Sequence, residues 1–317
     1  MILYILLFIL SCGIFFVCGQ WLLNAIIRMA EYLGWREFVI AFIVVAIATS
    51  LPNLFIGISS ALHGIPELSF GDILGGSLWD LTAAVALAAI FAKGLPAESK
   101  MVQTSALFTM LVAVSPLLLA MDGKLGRGDG LILIMIFLSY ILWLFSKKER
   151  FCKAYDGEKK SILKDFKNFV KDIFTIISGL ALLLVASQGI VISAKYFSTS
   201  CGLPLGLVGI LVVGIGSALP ETYFAIVAAR KIQTWMTLGN IMGSVIIIST
   251  LVLGIVALIA PIEIDDFSPY AIARAFLVLA AIFFFTFVRT GRKLEVKEAL
   301  LLLFLYIIFI VLEIINN

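Results

Sequence analysis

Two acidic side chains, Asp80 and Glu221, lie deep inside apolar stretches of the chain. Asp80 follows Ser69 by about 11 residues and Glu221 precedes Arg230 by nine, so a helical rise of 1.5 Å per residue puts both roughly 13–16 Å from the nearest segment end. Because a hydrocarbon core is about 30 Å thick, this depth is close to its centre. An ionised carboxylate there costs at least about 2.5–3.5 kcal/mol, so each is expected to bind a cation or a proton.

Oxygen donors accompany these two carboxylates in the sequence. Pro52 and Pro220, inside apolar runs, are predicted to break their helices and to free carbonyl oxygens of the preceding turn. Carboxylate, amide, hydroxyl and carbonyl oxygens suit hard cations such as Ca²⁺ and Na⁺. The predicted cation-binding side chains are Asp80, Glu221, Asn53, Thr49, Ser50, Ser77 and Ser217. Asp80 and Glu221 are the predicted charged ligands of a Ca²⁺ or Na⁺ ion.

Two further polar residues, Asp72 and Asn240, lie only about one helical turn inside their apolar segments. We interpret both as helix N-caps, because Asp and Asn side chains accept hydrogen bonds from free N–H groups there. The alternative is that they line an entry path. The four cysteines are far apart, with no CxxC pair, so neither a zinc site nor a disulfide framework is expected. No cofactor is predicted.

The elements that position these residues are membrane helices. The 317 residues are 62% hydrophobic and 14% charged, with a mean hydropathy of +1.15. Soluble domains carry about a quarter charged residues. This composition excludes a soluble enzyme and a disordered chain, and a scattered net charge of +3 excludes a nucleic-acid binder. The predicted class is an all-α polytopic membrane protein whose partners are inorganic cations and the lipid bilayer.

Charged and turn-forming residues divide the chain into ten apolar runs. The predicted spans are 2–27, 37–62, 68–92, 102–121, 128–146, 170–194, 204–229, 234–260, 269–288 and 296–315. A basic linker, 147–169, separates five spans in 1–146 from five in 170–317. This linker is predicted either as a solvated loop or in part as an amphipathic surface helix.

The distribution of basic residues predicts the orientation. Ten spans with the linker in the cytoplasm put 19 of the 23 Lys and Arg residues on the cytoplasmic side. Cytoplasmic loops of membrane proteins carry such an excess. Both termini are therefore predicted to be extracytoplasmic.

An internal repeat relates residues 37–92 to 205–260 at a constant offset of 168. Thr-Ser-Leu-Pro-Asn at 49–53 aligns with Ser-Ala-Leu-Pro-Glu at 217–221, and the glycines of 71–75 align with those of 239–243. Five spans per half mean that the second copy enters the membrane from the opposite side. The sequence thus predicts two inverted five-helix repeats, an architecture of secondary transporters that bind near the midplane.

The paired Leu-Pro-Asn and Leu-Pro-Glu motifs, each followed by Gly-Asp/Asn-x-x-Gly, resemble the α-repeats of the sodium/calcium exchanger family, part of the calcium/cation antiporter superfamily. The ten-span layout resembles that of its prokaryotic members, so the resemblance implies the plasma (inner) membrane of a prokaryote. It also implies an antiporter that exchanges Ca²⁺ for Na⁺ or H⁺ by alternating access. Spans 1 and 6 would then be sliding gate helices.

The resemblance carries over residue by residue. Glu221 matches the glutamate of the family's second repeat, whereas Asn53 stands where the first repeat has its glutamate. Asp80 falls on the Asn/Asp position of the following span, and Ile248 occupies the equivalent position in the second repeat, where a polar residue is expected. The resemblance implies that Asp80 and Glu221 supply the central charge.

Three other hypotheses remain at this point. The same fold could carry a different cation, or could be coupled to protons alone, because the positions of Asn53 and Ile248 have changed. An intramembrane aspartyl protease would use Asp72 and Asp80, but eight helical residues put these about 12 Å apart, too far to share a proton. A transport-inactive homologue is the last alternative. The favoured prediction is a transporter and not an enzyme; the sequence gives no indication of oligomeric state.

Overall fold

Ten helical segments, each long and apolar enough to cross a membrane, make up most of the structure. The structure is a computed structural model that describes residues 1–32, 45–146, 162–230, 234–264 and 266–316. Apolar runs form helices because backbone groups surrounded by hydrocarbon must pair within their own segment. We number the segments spans 1 to 10. They confirm the predicted all-α, ten-span architecture.

Seven spans consist of one main helix each. These helices are Ile2–Tyr32 (span 1), Val45–Leu62 (span 2), Lys100–Leu119 (span 4), Arg127–Ser146 (span 5), Ile162–Cys201 (span 6), Ala271–Thr290 (span 9) and Val296–Asn316 (span 10). Short 3₁₀ turns, Ala120–Asp122 and Ser268–Tyr270, follow span 4 and precede span 9.

The other three spans contain a π-helical turn. Span 3 comprises Glu67–Trp79, the π-helical Asp80–Ala84 and Val85–Ala92. Span 7 comprises Leu205–Val208, the π-helical Gly209–Val213, Gly214–Ser217 and Leu219–Arg230. Span 8 comprises Thr234–Ile246, the π-helical Ile247–Val252 and Leu253–Ile259. Such turns occur frequently at functional sites.

Spans 2, 3, 7 and 8 form the centre of the protein. Between 56% and 83% of the most apolar stretch of each is buried, against at most 44% in the other described spans. These four spans carry the motifs of the internal repeat. The polar residues of the motifs are therefore surrounded by protein and not by lipid.

Glycines let the backbones of spans 3 and 7 approach closely. A Cβ atom at Gly71 or Gly75 would overlap the carbonyl oxygens of Gly206 and Ile210, and one at Gly214 would stand 2.8 Å from the backbone nitrogen of Gly76. Membrane helices associate without a hydrophobic driving force between them, so small residues and close packing replace it. This packing brings the two repeat motifs into contact.

Spans 1 and 6 pack against each other as an antiparallel pair. Tyr4 stacks on Tyr196 near one end, with ring centroids 3.9 Å apart. At the other end Arg28 forms an ion pair with Asp172 at 2.5 Å. Because these contacts run from one end to the other, the two helices are joined along most of their length.

Two short strand pairs fix which loops share a side of the membrane. Strand β1, Leu95–Pro96, pairs with β4, Lys293–Leu294, and β2, Lys124–Leu125, pairs with β3, Ile262–Glu263. Paired strands lie about 4.8 Å apart, so the loops after spans 3 and 9 are on one side. The loops after spans 4 and 8 are likewise together. This pattern is what ten spans require, and each pair joins one repeat to the other.

The local structure of the two repeats also matches. The π-helical turns Asp80–Ala84 and Ile247–Val252 lie at the repeat offset, within one residue. Beside them, the hydroxyl of Thr82 donates to the carbonyl of Leu78, and that of Thr250 donates to Ile246. The predicted inverted five-helix repeats are therefore present.

The prediction of two proline-induced helix breaks is half wrong. Span 7 is interrupted at Ala218, and Pro220 lies in the first turn of the next helix, where its missing N–H has no partner to lose. Span 2, however, continues as one helix through Pro52. A proline removes a single intrahelical hydrogen bond, and the neighbouring bonds keep this helix continuous.

Two other predictions fall partly outside the described residues. Residues 37–44 of the predicted second span and 147–161 of the predicted linker are not among them. The described remainder of the linker, from Ile162, is helical and continues into span 6 without interruption. Of the two predictions for this stretch, a helix is the correct one for residues 162–169.

Candidate cation site

Glu221 is part of a polar cluster at the centre of the protein. Its side chain is 1% exposed. The hydroxyl of Ser244 on span 8 donates to Glu221 Oε1 at 2.6 Å, and that of Ser50 on span 2 reaches the same oxygen at 3.4 Å. Ser50 also lies 3.2 Å from Ser244. Two hydroxyl groups, that of the predicted ligand Ser50 and that of Ser244, thus meet at one carboxylate.

Asp80 lies at the start of the π-helical turn of span 3 and is fully buried. Within the described chain, no hydrogen bond of ordinary length reaches either of its carboxylate oxygens. Ser244 is close enough to interact with Asp80, and the charge of Asp80 acts on Glu221. A buried carboxylate that accepts no hydrogen bond of ordinary length is costly in an apolar interior, and a bound cation would offset that cost.

Asn53, Asp72 and Ser217 form a second polar group beside the first. The amide nitrogen of Asn53 donates to Ser217 Oγ at 3.0 Å and to Asp72 Oδ2 at 3.3 Å. The Ser217 hydroxyl donates to Asp72 Oδ1 at 2.7 Å and lies 3.2 Å from the carbonyl oxygen of Gly214. In the described part of the chain, Asn53 Oδ1 has no hydrogen-bond partner.

Two of these contacts are equivalent under the internal repeat. Thr49 donates to Asn240 Oδ1 at 3.1 Å, and Ser217 donates to Asp72 Oδ1 at 2.7 Å. Residues 49 and 217, and likewise 72 and 240, are related by the offset of 168. In both cases a hydroxyl on the proline-containing span of one repeat binds a side chain on the following span of the other. The site is therefore built at the interface of the two repeats.

The sequence profile of the family described as "Sodium/calcium exchanger protein" matches residues 3–146 and 171–315, which is most of the chain. The chain belongs to the sodium/calcium exchanger family. This membership confirms the resemblance of the repeat motifs.

The chain is similar to individual proteins over most of its length. The chain is 29% identical to the inner membrane protein YrbG of Escherichia coli over 78% of this chain and 76% of YrbG. It is 24% identical to the sodium/calcium exchanger MaX1 of Methanosarcina acetivorans over 96% and 97% of the two chains. The fold is that of the sodium–calcium exchanger NCX_Mj, with a TM-score of 0.69, 24% identity and 98% of each chain covered.

Ile248 marks a departure from the family pattern. It is 1% exposed, and its Cδ1 atom and Asn53 Nδ2 both lie 3.7 Å from the point where a Cβ on Gly76 would stand. An apolar side chain therefore occupies the border of the site at the position where a polar residue is expected. The hydroxyl of the predicted ligand Ser77 lies 3.2 Å from that of Ser249 on span 8.

The interpretation of Asp72 and Asn240 as helix caps is wrong. The helix of span 3 has Pro66 at its N-cap and no side-chain cap, and Asn240 lies in the middle of Thr234–Ile246. Both side chains are fully buried in the site. Asp72 lies five residues after the helix start at Glu67, and Asn240 lies six residues after the start at Thr234, so neither is at an N-cap position. The alignment of Asp72 with Asn240 at the repeat offset was the available signal.

The site thus contains three buried acidic residues, Asp72, Asp80 and Glu221. The buried polar side chains in the described ranges include no lysine or arginine, so cations must come from outside the protein. No group of three His, Cys, Asp or Glu side chains in those ranges has the arrangement of a metal site. Ligands would accordingly include neutral oxygens as well as carboxylates.

Proposed function

We propose that this protein is an antiporter that exchanges Ca²⁺ for Na⁺ or H⁺ by alternating access. One observation carries the proposal: among the described residues, no hydrogen bond of ordinary length reaches the carboxylate of the fully buried Asp80, whose charge acts on Glu221. Membership of the sodium/calcium exchanger family supports Ca²⁺ as the cargo. Two carboxylates neutralise one Ca²⁺, an ion that takes six to eight oxygen ligands.

In this proposal Asp80 and Glu221 are the charged ligands of the transported cation. The neutral ligands are Asn53, Thr49, Ser50, Ser77 and Ser217. The amide oxygen of Asn53, which has no hydrogen-bond partner in the described part of the chain, supports this assignment, since a buried acceptor without a partner is unfavourable. Na⁺ or protons compete with Ca²⁺ for the same carboxylates, and this competition couples the two fluxes.

In this proposal, the charge of the site explains why alternating access requires a bound cation. The empty pair of carboxylates, Asp80 and Glu221, resists movement through an apolar barrier, whereas Ca²⁺ neutralises this pair. Spans 1 and 6 are the proposed gate. Their continuous antiparallel contact, from Tyr4–Tyr196 to Arg28–Asp172, supports movement as a pair.

The proposed orientation rests on charge. The loops joined by β1 and β4 contain Lys93, Arg292 and Lys293, and Lys100 begins the next helix. This basic side is assigned to the cytoplasm. Both termini are then extracytoplasmic, and the membrane is the plasma (inner) membrane of a prokaryote. Residues 1–146 and 170–317 are the proposed repeats, with a cytoplasmic linker at 147–169.

A second candidate keeps the fold and changes the cargo. Ile248 removes one polar group from the border of the site, and Asn53 replaces a glutamate of the family pattern. A smaller set of oxygens favours another cation, or coupling to protons alone. Ca²⁺ uptake under a gradient separates the two candidates.

The test uses purified protein in sealed vesicles. We expect ⁴⁵Ca²⁺ uptake when an outward Na⁺ gradient is imposed, or when an outward H⁺ gradient is imposed. Glu221→Gln and Asp80→Asn should abolish this uptake. The control Glu98→Gln, in an exposed loop, should leave it unchanged. No uptake by folded protein under either gradient would overturn Ca²⁺ transport and favour the second candidate.

A further inference from the structure

A hydrogen bond between Trp79 and Thr222 links spans 3 and 7 beside the two central carboxylates. Trp79 directly precedes Asp80, and Thr222 directly follows Glu221. The indole N–H of Trp79 donates to Thr222 Oγ1 at 2.8 Å, and the Thr222 hydroxyl donates to the carbonyl of Ala218 at 2.9 Å. The neighbour of one carboxylate is thus joined to the neighbour of the other.

Both carboxylates lie where the helical backbone is irregular. Asp80 begins the π-helical turn of span 3, and Glu221 lies in the first turn of the helix that follows the interruption of span 7 at Ala218. π-Helical turns and helix ends both depart from the regular hydrogen-bonding pattern of an α-helix. The backbone therefore restrains these two side chains less than the middle of a regular helix would, and a hydrogen bond across the two spans adds a restraint.

The internal repeat has no second copy of this hydrogen bond. At the offset of 168, the two residues of the hydrogen bond correspond to Ile247 and Leu54, and the two carboxylates correspond to Ile248 and Asn53. The aliphatic side chains at 247 and 54 have no hydrogen-bonding groups. The carboxylate pair and the hydrogen bond therefore occur together, in the same half of the interface between the repeats.

The indole of Trp79 is also held from span 10. Its ring meets that of Tyr306 edge to face, with centroids 5.1 Å apart and an interplanar angle of 89°. Aromatic pairs favour this arrangement. Because Tyr306 contacts the ring and Thr222 binds the N–H, the orientation of the indole is fixed by two spans.

We propose that Trp79 and Thr222 are positioning residues that hold Asp80 and Glu221 at the separation that a divalent cation requires. This inference rests on the proposed function, because it takes the two carboxylates as ligands of the transported cation. Ca²⁺ binds oxygen ligands at about 2.3–2.6 Å, so two carboxylates that share one ion must keep a defined spacing. A cation of another radius fits that spacing less well, and the pair therefore sets both the affinity for Ca²⁺ and its selection over the larger Sr²⁺.

Three variants test the hydrogen bond with little change in packing. Trp79→Phe removes the N–H and keeps an aromatic ring against Tyr306. Thr222→Val removes the hydroxyl and keeps the size of the side chain. Thr222→Ser retains the hydroxyl, so it should retain the function of the wild type.

Two controls carry the same substitutions in other spans. Trp143→Phe changes a tryptophan of span 5 whose ring packs against Phe108 and Tyr140. Thr286→Val removes an exposed hydroxyl of span 9 that donates to the carbonyl of Ile282 on its own helix. Neither side chain is part of the candidate cation site, so both variants should bind and transport Ca²⁺ like the wild type.

The first measurement is ⁴⁵Ca²⁺ uptake by vesicles as a function of Ca²⁺ concentration. Trp79→Phe and Thr222→Val should raise the half-maximal concentration about three- to tenfold, as expected for the loss of one buried hydrogen bond, and should leave the maximal rate unchanged. The ratio of Ca²⁺ to Sr²⁺ affinity should be closer to one in both variants. A lower maximal rate at an unchanged half-maximal concentration would overturn the proposal, and so would equal impairment of Thr222→Ser and Thr222→Val.

A second measurement separates this proposal from the proposed function, because it requires no transport. The unfolding temperatures of the wild type, Trp79→Phe, Thr222→Val and the double variant form a double-mutant cycle. The losses should be less than additive, since both substitutions remove the same hydrogen bond, and additive losses would overturn the pair even if Ca²⁺ transport is confirmed.

Ca²⁺ is then titrated against the unfolding temperature of the purified proteins. A half-saturating Ca²⁺ concentration about three- to tenfold higher in Trp79→Phe than in the wild type would support the positioning role even if the vesicles take up no Ca²⁺. An unchanged concentration would overturn it.

Discussion

Asn53→Asp should destabilise the protein, because it places a second carboxylate against Asp72. The amide nitrogen of Asn53 lies 3.3 Å from Asp72 Oδ2. Replacing Asn53 by aspartate substitutes a carboxylate oxygen for that nitrogen and turns an attraction into a repulsion. The side chains remain the same size, so packing changes little.

The distance between the side chains of residues 53 and 72 determines how strongly two carboxylates there would repel each other. Two unit charges 3.3 Å apart repel by about 5 kcal/mol at an effective dielectric constant of 20. Loss of the hydrogen bond itself costs about 1.5–3 kcal/mol, since one partner is charged. We therefore expect Asn53→Asp to be more destabilising than Asn53→Ala, which loses only the hydrogen bond and the packing of the amide.

A double-mutant cycle isolates the charge contribution. The swap Asn53→Asp/Asp72→Asn restores one carboxylate and one amide at the same contact, so it should recover most of the stability lost in Asn53→Asp. The assay is thermal unfolding of the purified proteins in detergent without Na⁺ or Ca²⁺. Equal unfolding temperatures for Asn53→Asp and its swap would refute the contact between residues 53 and 72.

Three further predictions concern the scaffold and its orientation. Arg28→Ala should lower the free energy of unfolding by about 1–2 kcal/mol, because it removes a charge-assisted pair with the buried Asp172. Thermal unfolding measures this change. An unchanged unfolding temperature would mean that the pair does not join spans 1 and 6. Gly75→Ala should prevent correct packing because its Cβ meets a backbone carbonyl of span 7, whereas Gly13→Ala, with nothing within 4 Å, should be tolerated; equal yields of monodisperse protein would contradict this. The exposed Cys201 should react with a membrane-impermeant maleimide in intact cells, whereas Cys152 in the linker should react only after permeabilisation. The reverse labelling pattern would show that the protein has the opposite orientation.

Much of the fold could be predicted from the sequence because the bilayer restricts which backbone conformations are stable. Backbone groups in hydrocarbon must pair internally, so each apolar run has one stable conformation. The 168-residue offset gave the inverted repeat from proline and glycine positions alone. The strand pairs β1–β4 and β2–β3 were not predicted, because two-residue strands leave no periodic pattern.

Only part of the candidate cation site could be predicted from the sequence. The burial of Asp80 and Glu221 followed from their depth in apolar runs. Asp72 was misassigned because its distance from the preceding loop is short in sequence, whereas its place against Ser217 depends on the close crossing of spans 3 and 7. Likewise, the motif around Pro52 predicts a helix break, but the neighbouring hydrogen bonds keep this helix continuous.

The central claim is that Asp80 and Glu221 hold the transported cation, and direct Ca²⁺ binding to the purified protein tests it. Removing one charged partner from a buried interaction costs about 3–5 kcal/mol, so Asp80→Asn and Glu221→Gln should each weaken Ca²⁺ binding by roughly a hundredfold or more. The exposed-loop variant Glu98→Gln should bind Ca²⁺ like the wild type. Wild-type Ca²⁺ affinity in folded Asp80→Asn and Glu221→Gln protein would contradict the assignment.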